Sequence, residues 1–180
     1  MAADAHVRLP PPDHSNAVSE RRPTWHVSLM SATLRAATTD DAECVAQVLL
    51  ASRKAFLPFA PMAHTDDEVR AWVREVLLAR ETVTVACVDR AIVGVLAVSR
   101  NGAVSWLTEL YVDPSHVGRG IGSRLLAHAV ATTPAPIRLY TYQQNAGARR
   151  FYERNGFVPI RFTDGSASEE RCPDVLYELS

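Results

Sequence analysis

The chain has no surplus of positive charge, no long apolar run and little cysteine, and each lack removes a class of protein. Of its 180 residues, 19 are Lys or Arg and 20 are Asp or Glu, for a formal net charge of −1. With no basic excess to neutralise a phosphate backbone, a nucleic-acid partner is not expected. No apolar stretch approaches the ~20 residues of a membrane-spanning helix, so no membrane partner is expected either. The three cysteines, Cys44, Cys87 and Cys172, are odd in number and widely spaced, unlike a disulfide framework or a zinc site. Cys44 and Cys87 fall in apolar periodic segments and read as buried, reduced thiols, which fits a cytoplasmic protein. No metal is expected. What remains is average globular usage, 47% hydrophobic and 22% charged, which excludes a collagen, a coiled coil and a wholly disordered chain. One domain of this size buries roughly 70% of its unfolded surface and needs no staples.

Residues 1–31 differ from the rest. Pro10, Pro11, Pro12 and Pro23, scattered charges and no apolar period mark a disordered tail. The segment has no apolar core of a secretory signal, and Met30 offers a second start. The folded domain is expected over 32–180. Within it, Thr33 to Ala37 reads as a strand, and Thr38 to Asp41 as a helix cap. Ala42, Val45, Ala46 and Leu49 then recur on one helical face. Phe56-Leu57-Pro58-Phe59-Ala60-Pro61-Met62 cannot be regular helix. Thr65-Asp66-Asp67-Glu68 is a capping box, opening a helix whose face is Val69, Trp72, Val73 and Val76.

The period then changes. Thr82 to Val88 and Ala91 to Arg100 form a hairpin about Asp89-Arg90, and Val104 to Val112 is a third strand. Ile121, Leu125, Leu126 and Ala129 share a helix face, Ile137 to Tyr142 is a strand, and Asn145 caps a helix that ends at Gly156. Strands at Phe157 to Phe162 and Val175 to Leu179 complete the order β-α-α-β-β-β-α-β-α-β-β. A mixed α/β (α+β) layered fold with a mostly antiparallel sheet is expected rather than a regular doubly wound one.

The most informative stretch is Leu110-Tyr111-Val112-Asp113-Pro114-Ser115-His116-Val117-Gly118-Arg119-Gly120-Ile121-Gly122-Ser123. A strand ends, Asp113-Pro114 turns the chain, and glycines at alternate positions open a helix. Free N–H groups at a helix N-terminus make an anion site, and glycine admits the ligand close to the backbone. A P-loop is excluded because no Lys follows the glycines. A dinucleotide fingerprint fails at Ser123, or at Leu125 if counted from Gly120. A plain glycine turn before a helix is the competing reading. His116 reads as a solvated loop residue.

Val117-Gly118-Arg119-Gly120-Ile121-Gly122 resembles the acetyl-coenzyme A motif of the GNAT superfamily of N-acetyltransferases, with Val117 where that family usually has Gln or Arg. That substitution loses one side-chain donor and leaves the backbone amides. Downstream, Asn145-Ala146-Gly147-Ala148-Arg149-Arg150-Phe151-Tyr152-Glu153-Arg154-Asn155-Gly156-Phe157 is similar to the family's second element. The resemblance covers about residues 33–180. It implies a sheet splayed between strands four and five, with acetyl-CoA as co-substrate in the gap. By the same resemblance, Leu110, Tyr111 and Val112 would hold the pantetheine arm, Gly118 to Ser123 the pyrophosphate, and Asn145 the arm, with Tyr152 near the sulfur.

Acetyl transfer to a primary amine needs a base, an oxyanion donor and an acid for the thiolate. Glu109 is the expected base, directly or through water, on the same strand face as Leu107 and Tyr111 by alternation. The backbone N–H of Val112 would serve the oxyanion, and Tyr152 is the expected acid. Some family members place the base at the position matching Tyr140, itself a poor base at pH 7. The acceptor side is expected around Phe56, Phe59, Met62 and His64, with Asp66, Asp67 and Glu68 beyond, which suits a cationic amine with an apolar part. A small-molecule or peptide amine is the expected partner, and a homodimer is compatible with this reading. The reading from another class is a non-catalytic acyl-CoA sensor or partner protein on the same fold.

Overall fold

The computed structural model describes residues 32–180, and the segment 1–31, expected as a disordered tail, lies outside the described residues. The elements are β1 (Thr33–Ala36), α1 (Ala42–Phe56), α2 (Asp66–Trp72), α3 (Leu78–Arg80), β2 (Thr82–Val88), β3 (Ala91–Asn101), β4 (Val104–Val112), α4 (Ile121–Thr132), β5 (Ile137–Tyr142), α5 (Ala146–Arg154), β6 (Val158–Phe162) and β7 (Asp174–Leu179). With α2 and α3 joined into one helix by the turn Val73–Leu77, their order is the one read from the sequence. The strands form one sheet, β1-β2-β3-β4-β5-β7-β6, in which only the β4–β5 pair is parallel. This is the mixed, mostly antiparallel α/β architecture expected.

Local chemistry explains the joints. Asp89 and Arg90 both take positive φ, 48° and 70°, as a two-residue turn matched to strand twist requires. Thr65 and Glu68 cap α2 reciprocally, the Glu68 carboxylate accepting from the Thr65 N–H at 2.7 Å. Asp41 accepts both the Thr38 N–H at 2.8 Å and a bidentate Arg35 at 2.7 and 2.8 Å, pinning β1 to the start of α1.

Two apolar layers cover the sheet. On one face Val45, Ala46 and Leu49 of α1 join Val73 and Leu77 against Val85 and Val95. On the other, Leu125 and Leu126 of α4 and Tyr152 of α5 pack on Leu96, Leu107 and Leu139. Gly94 lets α4 lie close to β3, since a Cβ there would stand 2.9 Å from a Leu125 methyl and 3.0 Å from one of Ile121.

Three departures from the sequence reading have simple causes. The helix after Trp72 passes through a π-helical turn, Val73–Leu77, and Leu77 rather than Val76 is fully buried. A π turn inserts one residue and rotates the apolar stripe by one position. Cys44 is exposed while Cys87 is buried, because Cys44 lies beside the Val45–Leu49 stripe instead of on it. The third departure is in β4. Ala97 pairs with Glu109 but Val98 pairs with Leu107, so Thr108 is an extra residue. Such a bulge reverses side-chain parity. Leu107 faces α4, whereas Glu109 and Tyr111 stand opposite Ala97 and Val95 on the α1 face. Alternation from Leu107 therefore gives the wrong face for Glu109, while the shared face with Tyr111 holds.

β4 and β5 pair only at Ser105 with Ile137 and Trp106 with Arg138. Beyond those two rungs they diverge, and β5 stays fully paired with β7 on its other side. Ser105 anchors the hinge of this wedge: its hydroxyl donates to the Pro134 carbonyl at 2.7 Å and its N–H to that of Pro136 at 3.0 Å.

Candidate active site

The wedge opens into a cavity of about 590 Å³, walled by Leu107–Tyr111 of β4, Tyr140–Tyr142 of β5, and Asn145, Ala148 and Tyr152 at α5. A second cavity of about 470 Å³ lies on the α1–α2 side, bordered by Leu49, Met62, His64, Val69 and Trp72. Glu109, Tyr111, Arg53 and Glu170 border both. The two spaces therefore meet at the bulged part of β4.

Glu109 makes no hydrogen bond or ion pair among the described residues. Burial pushes its carboxyl up to about 8, Glu81 and Glu170 add to the rise, and Arg53 opposes it. Glu81 also accepts a hydrogen bond from the hydroxyl of Thr108, the bulge residue, which bonds the Ala97 carbonyl as well, at 3.2 Å. Tyr152 is buried among Phe151, Phe157 and Tyr177, with ring centroids 5.3, 5.7 and 6.3 Å away. Its hydroxyl has no protein partner among the described residues, yet no buried side-chain polar atom there is left unpaired. That hydroxyl therefore opens into the first cavity. Burial, then the charge of Glu109, raises its pKa and keeps it protonated at neutral pH.

Asn145 spends its side-chain carbonyl on α5, accepting from the Ala148 N–H at 3.0 Å, and borders the first cavity. In the glycine loop, Asp113 accepts the Ser115 N–H at 2.9 Å and shapes the turn. Its carboxylate and the Ser115 hydroxyl also hold His116, at 3.4 and 2.8 Å. Gly118 and Gly120 take left-handed φ of 81° and 78°, and open space lies where their Cβ atoms would stand. Arg124 makes the first helical bond of α4, its N–H donating to the Gly120 carbonyl at 3.0 Å. The N–H groups of Ile121, Gly122 and Ser123 are thus left without helical partners. Val117 and Arg119 are exposed beside them.

The wedge-facing backbone follows from the ladder. The Asp113 N–H donates to the Val93 carbonyl at 2.9 Å, so Tyr111, two residues back, also turns its backbone to β3. In an antiparallel pair the intervening residues turn theirs away. The N–H and C=O groups of Leu110 and Val112 accordingly face the gap.

The other expected site residues divide. His64 borders the second cavity and Tyr140 the first. Tyr140 stacks on Trp106, and its hydroxyl accepts from Arg161 at 2.5 Å. Phe56 is exposed, Phe59 packs edge-on against Tyr142 at 5.9 Å, and neither borders a cavity. Of the acidic trio, Glu68 borders the second cavity while Asp66 and Asp67 border neither. Sequence reasoning missed Arg53, Glu169 and Glu170. The β6–β7 connection reaches across to α1 and to the α1–α2 connection, through Glu170 with Arg53 at 3.1 Å and Glu169 with His64 at 2.8 Å. No local pattern marks these pairs.

The described fold is similar to that of a PaiA N-acetyltransferase from Thermoplasma acidophilum, solved in complex with coenzyme A. The identity is 24% over 83% of this chain and 98% of that one, with a TM-score of 0.66. It is similar too to apo YjaB from Escherichia coli, 22% identical over 83% and 97% of the two chains, TM-score 0.66. The ribosomal-protein-S18-alanine N-acetyltransferase from Escherichia coli shares the fold at 16% identity over 82% and 92%, TM-score 0.65. No curated protein matches the sequence. Residues 79–159 match the family model of the acetyltransferase (GNAT) domain.

Residues 79–159 carry a GNAT acetyltransferase domain. This GNAT span runs from α3 through the bulge, the glycine loop and α5 into β6, and so takes in Glu109 and Tyr152. It leaves out α1, α2 and the β6–β7 connection, which form most of the second cavity. Among the described residues, no group of three or more His, Cys, Asp or Glu could hold a metal ion, and no helix is long and apolar enough to cross a membrane.

Proposed function

We propose that this GNAT chain transfers an acetyl group from acetyl-CoA to a primary amine by direct attack. The observation that carries the reading is the position of Glu109, an unpartnered carboxyl where two cavities meet, with the Tyr152 hydroxyl opening into one of them. The residues present suit acetyl-CoA. The outward backbone of Leu110 and Val112 offers a strand edge to the pantetheine arm. The amides from Gly118 to Ser123 offer donors and a helix dipole to the pyrophosphate, with Arg119 beside them. The free amide nitrogen of Asn145 serves the arm.

An alkylamine with a pKa of about 10.4 is neutral only to about 1 part in 10³ at pH 7, a deficit of about 4–5 kcal/mol. A carboxyl raised to about 8 is a far better proton acceptor for it than an ordinary one. Glu109 takes the ammonium proton, directly or through a cavity water. The nitrogen lone pair then forms the C–N bond, the carbonyl electron pair moves to oxygen, and the Val112 N–H faces that charge. When the C–S bond breaks, its electron pair leaves on sulfur and Tyr152 donates a proton. The second proton released by nitrogen restores the tyrosine through cavity water. Thioester and amine become amide and thiol with no redox change.

The test is release of free thiol from acetyl-CoA in the presence of a panel of primary amines. Amine-dependent thiol release is the expected result. A large thermal shift by acetyl-CoA without thiol release from any amine would favour the sensor reading instead.

A further inference from the structure

The second cavity has an apolar wall and an acidic rim. Leu49, Met62, Val69 and Trp72 make the wall. Of the four carboxylates on its border, three are engaged. Glu68 accepts the Thr65 N–H and hydroxyl at 2.7 and 2.9 Å, Glu169 pairs with His64 at 2.8 Å, and Glu170 pairs with Arg53 at 3.1 Å. Glu109 is the fourth, and it has no partner among the described residues. Arg53 is the one guanidinium on the border; its Nη2 pairs with Glu170 at 3.1 Å and its Nε donates to the Met62 sulfur at 3.4 Å.

We infer that the acceptor is a monoamine on an apolar body, an arylalkylamine or longer alkylamine without a carboxylate, whose ammonium meets Glu109 while its body lies along Leu49, Val69 and Trp72. The inference deepens the transferase reading and rests on it. An acceptor carrying its own carboxylate would set that charge against Glu68 and Glu169 and would compete with Glu170 for the border's one guanidinium. A polyamine would bring its second ammonium either to the apolar wall or to carboxylates that already have partners. A short alkylamine would leave the wall wet and forgo the burial of its body. Trp72 is thereby a specificity-determining residue, carrying the largest apolar side chain of the four.

The experiment compares kcat/KM for propylamine, 2-phenylethylamine, phenylalanine and spermidine at fixed acetyl-CoA. Phenylethylamine is expected to exceed propylamine by about tenfold or more, the scale of burying several apolar carbons. Phenylalanine, which adds only a carboxylate, is expected to fall well below phenylethylamine. In Trp72→Ala the phenylethylamine-to-propylamine ratio should drop severalfold, with the acetyl-CoA thermal shift reporting that the variant is folded. Spermidine or propylamine equal to phenylethylamine in the unaltered protein would overturn the inference and leave the transferase reading standing. That arm needs no variant to fold. Absence of thiol release with every amine would instead remove the transferase reading, and this inference with it.

Discussion

The two cavities that meet at Glu109 are built from different materials. The wedge side is made of strands whose positions are fixed by ladder hydrogen bonds, of a capped helix and of a glycine turn. The side we propose for the acceptor is helix faces of α1 and α2 and two long connections drawn together by side-chain pairs. Of these, His64–Glu169 is more than half exposed at both ends, while Arg53–Glu170 is better sheltered. An exposed pair of the first kind contributes about 0–1 kcal/mol. On the proposed reading, the donor lies on the side held by the ladder and the acceptor on the side held by side-chain pairs. Altering the first side disturbs the sheet, whereas breaking the exposed His64–Glu169 pair on the second costs little stability.

The sharpest way to break this contrast is at Tyr152. Tyr152→Phe keeps the ring among Phe151, Phe157 and Tyr177 and removes only the hydroxyl. We expect kcat to fall by about 10²–10⁴ while acetyl-CoA still raises the melting temperature as before. Equal turnover in both proteins would end the acid role and leave the wedge a binding surface only.

Glu109 belongs to both sides, and Glu109→Gln should lower the rate at pH 7 by about 10²–10³. In the unaltered protein the rate should climb with pH through about 8, where the carboxyl ionises. In the variant the climb should follow the amine alone and continue higher. The same raised pKa has a stability sign. Between an ordinary carboxyl value of 4.5 and about 8 the folded state holds a proton that the unfolded state has released. Stability therefore falls as pH rises across that window, at up to about 1.4 kcal/mol per unit. Melting curves of Glu109→Gln should lose that slope, and parallel curves for the two proteins would show that the carboxyl is not held neutral.

On the wedge side, Gly120→Val puts a branched side chain where φ is 78° and before the open amides. At acetyl-CoA about 100-fold above Kd, binding contributes about 2.7 kcal/mol, a rise of roughly 5–10 °C for a domain of this size. That rise should vanish in the variant, and NAD or ATP should give far less in either protein. A full shift in Gly120→Val would place the anion elsewhere.

The smallest effect is expected at Glu81, which borders neither cavity yet braces the bulge through Thr108. Glu81→Gln removes a negative charge near Glu109. The midpoint of the pH–rate curve should move down but remain above the usual carboxylate range, because burial is the larger cause of the rise. An unmoved midpoint, measured alongside an intact melting temperature, would leave Glu81 a purely structural brace.

How much of this was legible in the sequence depended on distance along the chain. Turn chemistry at Asp89-Arg90, the Thr65–Glu68 cap, the glycine loop and the Asn145 cap are each written within a few consecutive residues, and each appears in the structure where it was read. The extra residue Thr108 was not legible, since an alternating pattern looks the same whether or not one position is skipped. The π turn at Val73–Leu77 hid for the same reason. The wall of the second cavity was the least legible part. Its pairs join residues 105 and 117 positions apart, and a Glu-Glu step in a connection looks like any solvated surface until the fold sets it beside His64 and Arg53. Phe56 and Phe59 attracted attention by apolarity alone; Phe56 ends α1 with its side chain exposed, and Phe59 packs on Tyr142.

The wedge has a consequence for exchange with solvent hydrogen. Amides in the middle of a seven-stranded sheet ordinarily outlast all others in deuterated water, since only large openings release them. Leu110 and Val112 sit in the central strand, but β5 has already parted from β4 where their N–H groups point. In the free protein these two amides should label as quickly as loop positions, between slowly labelling neighbours on the β3 side. Acetyl-CoA seated along that edge should slow both, marking the gap in the sheet as the place where the chain leaves room for one more strand.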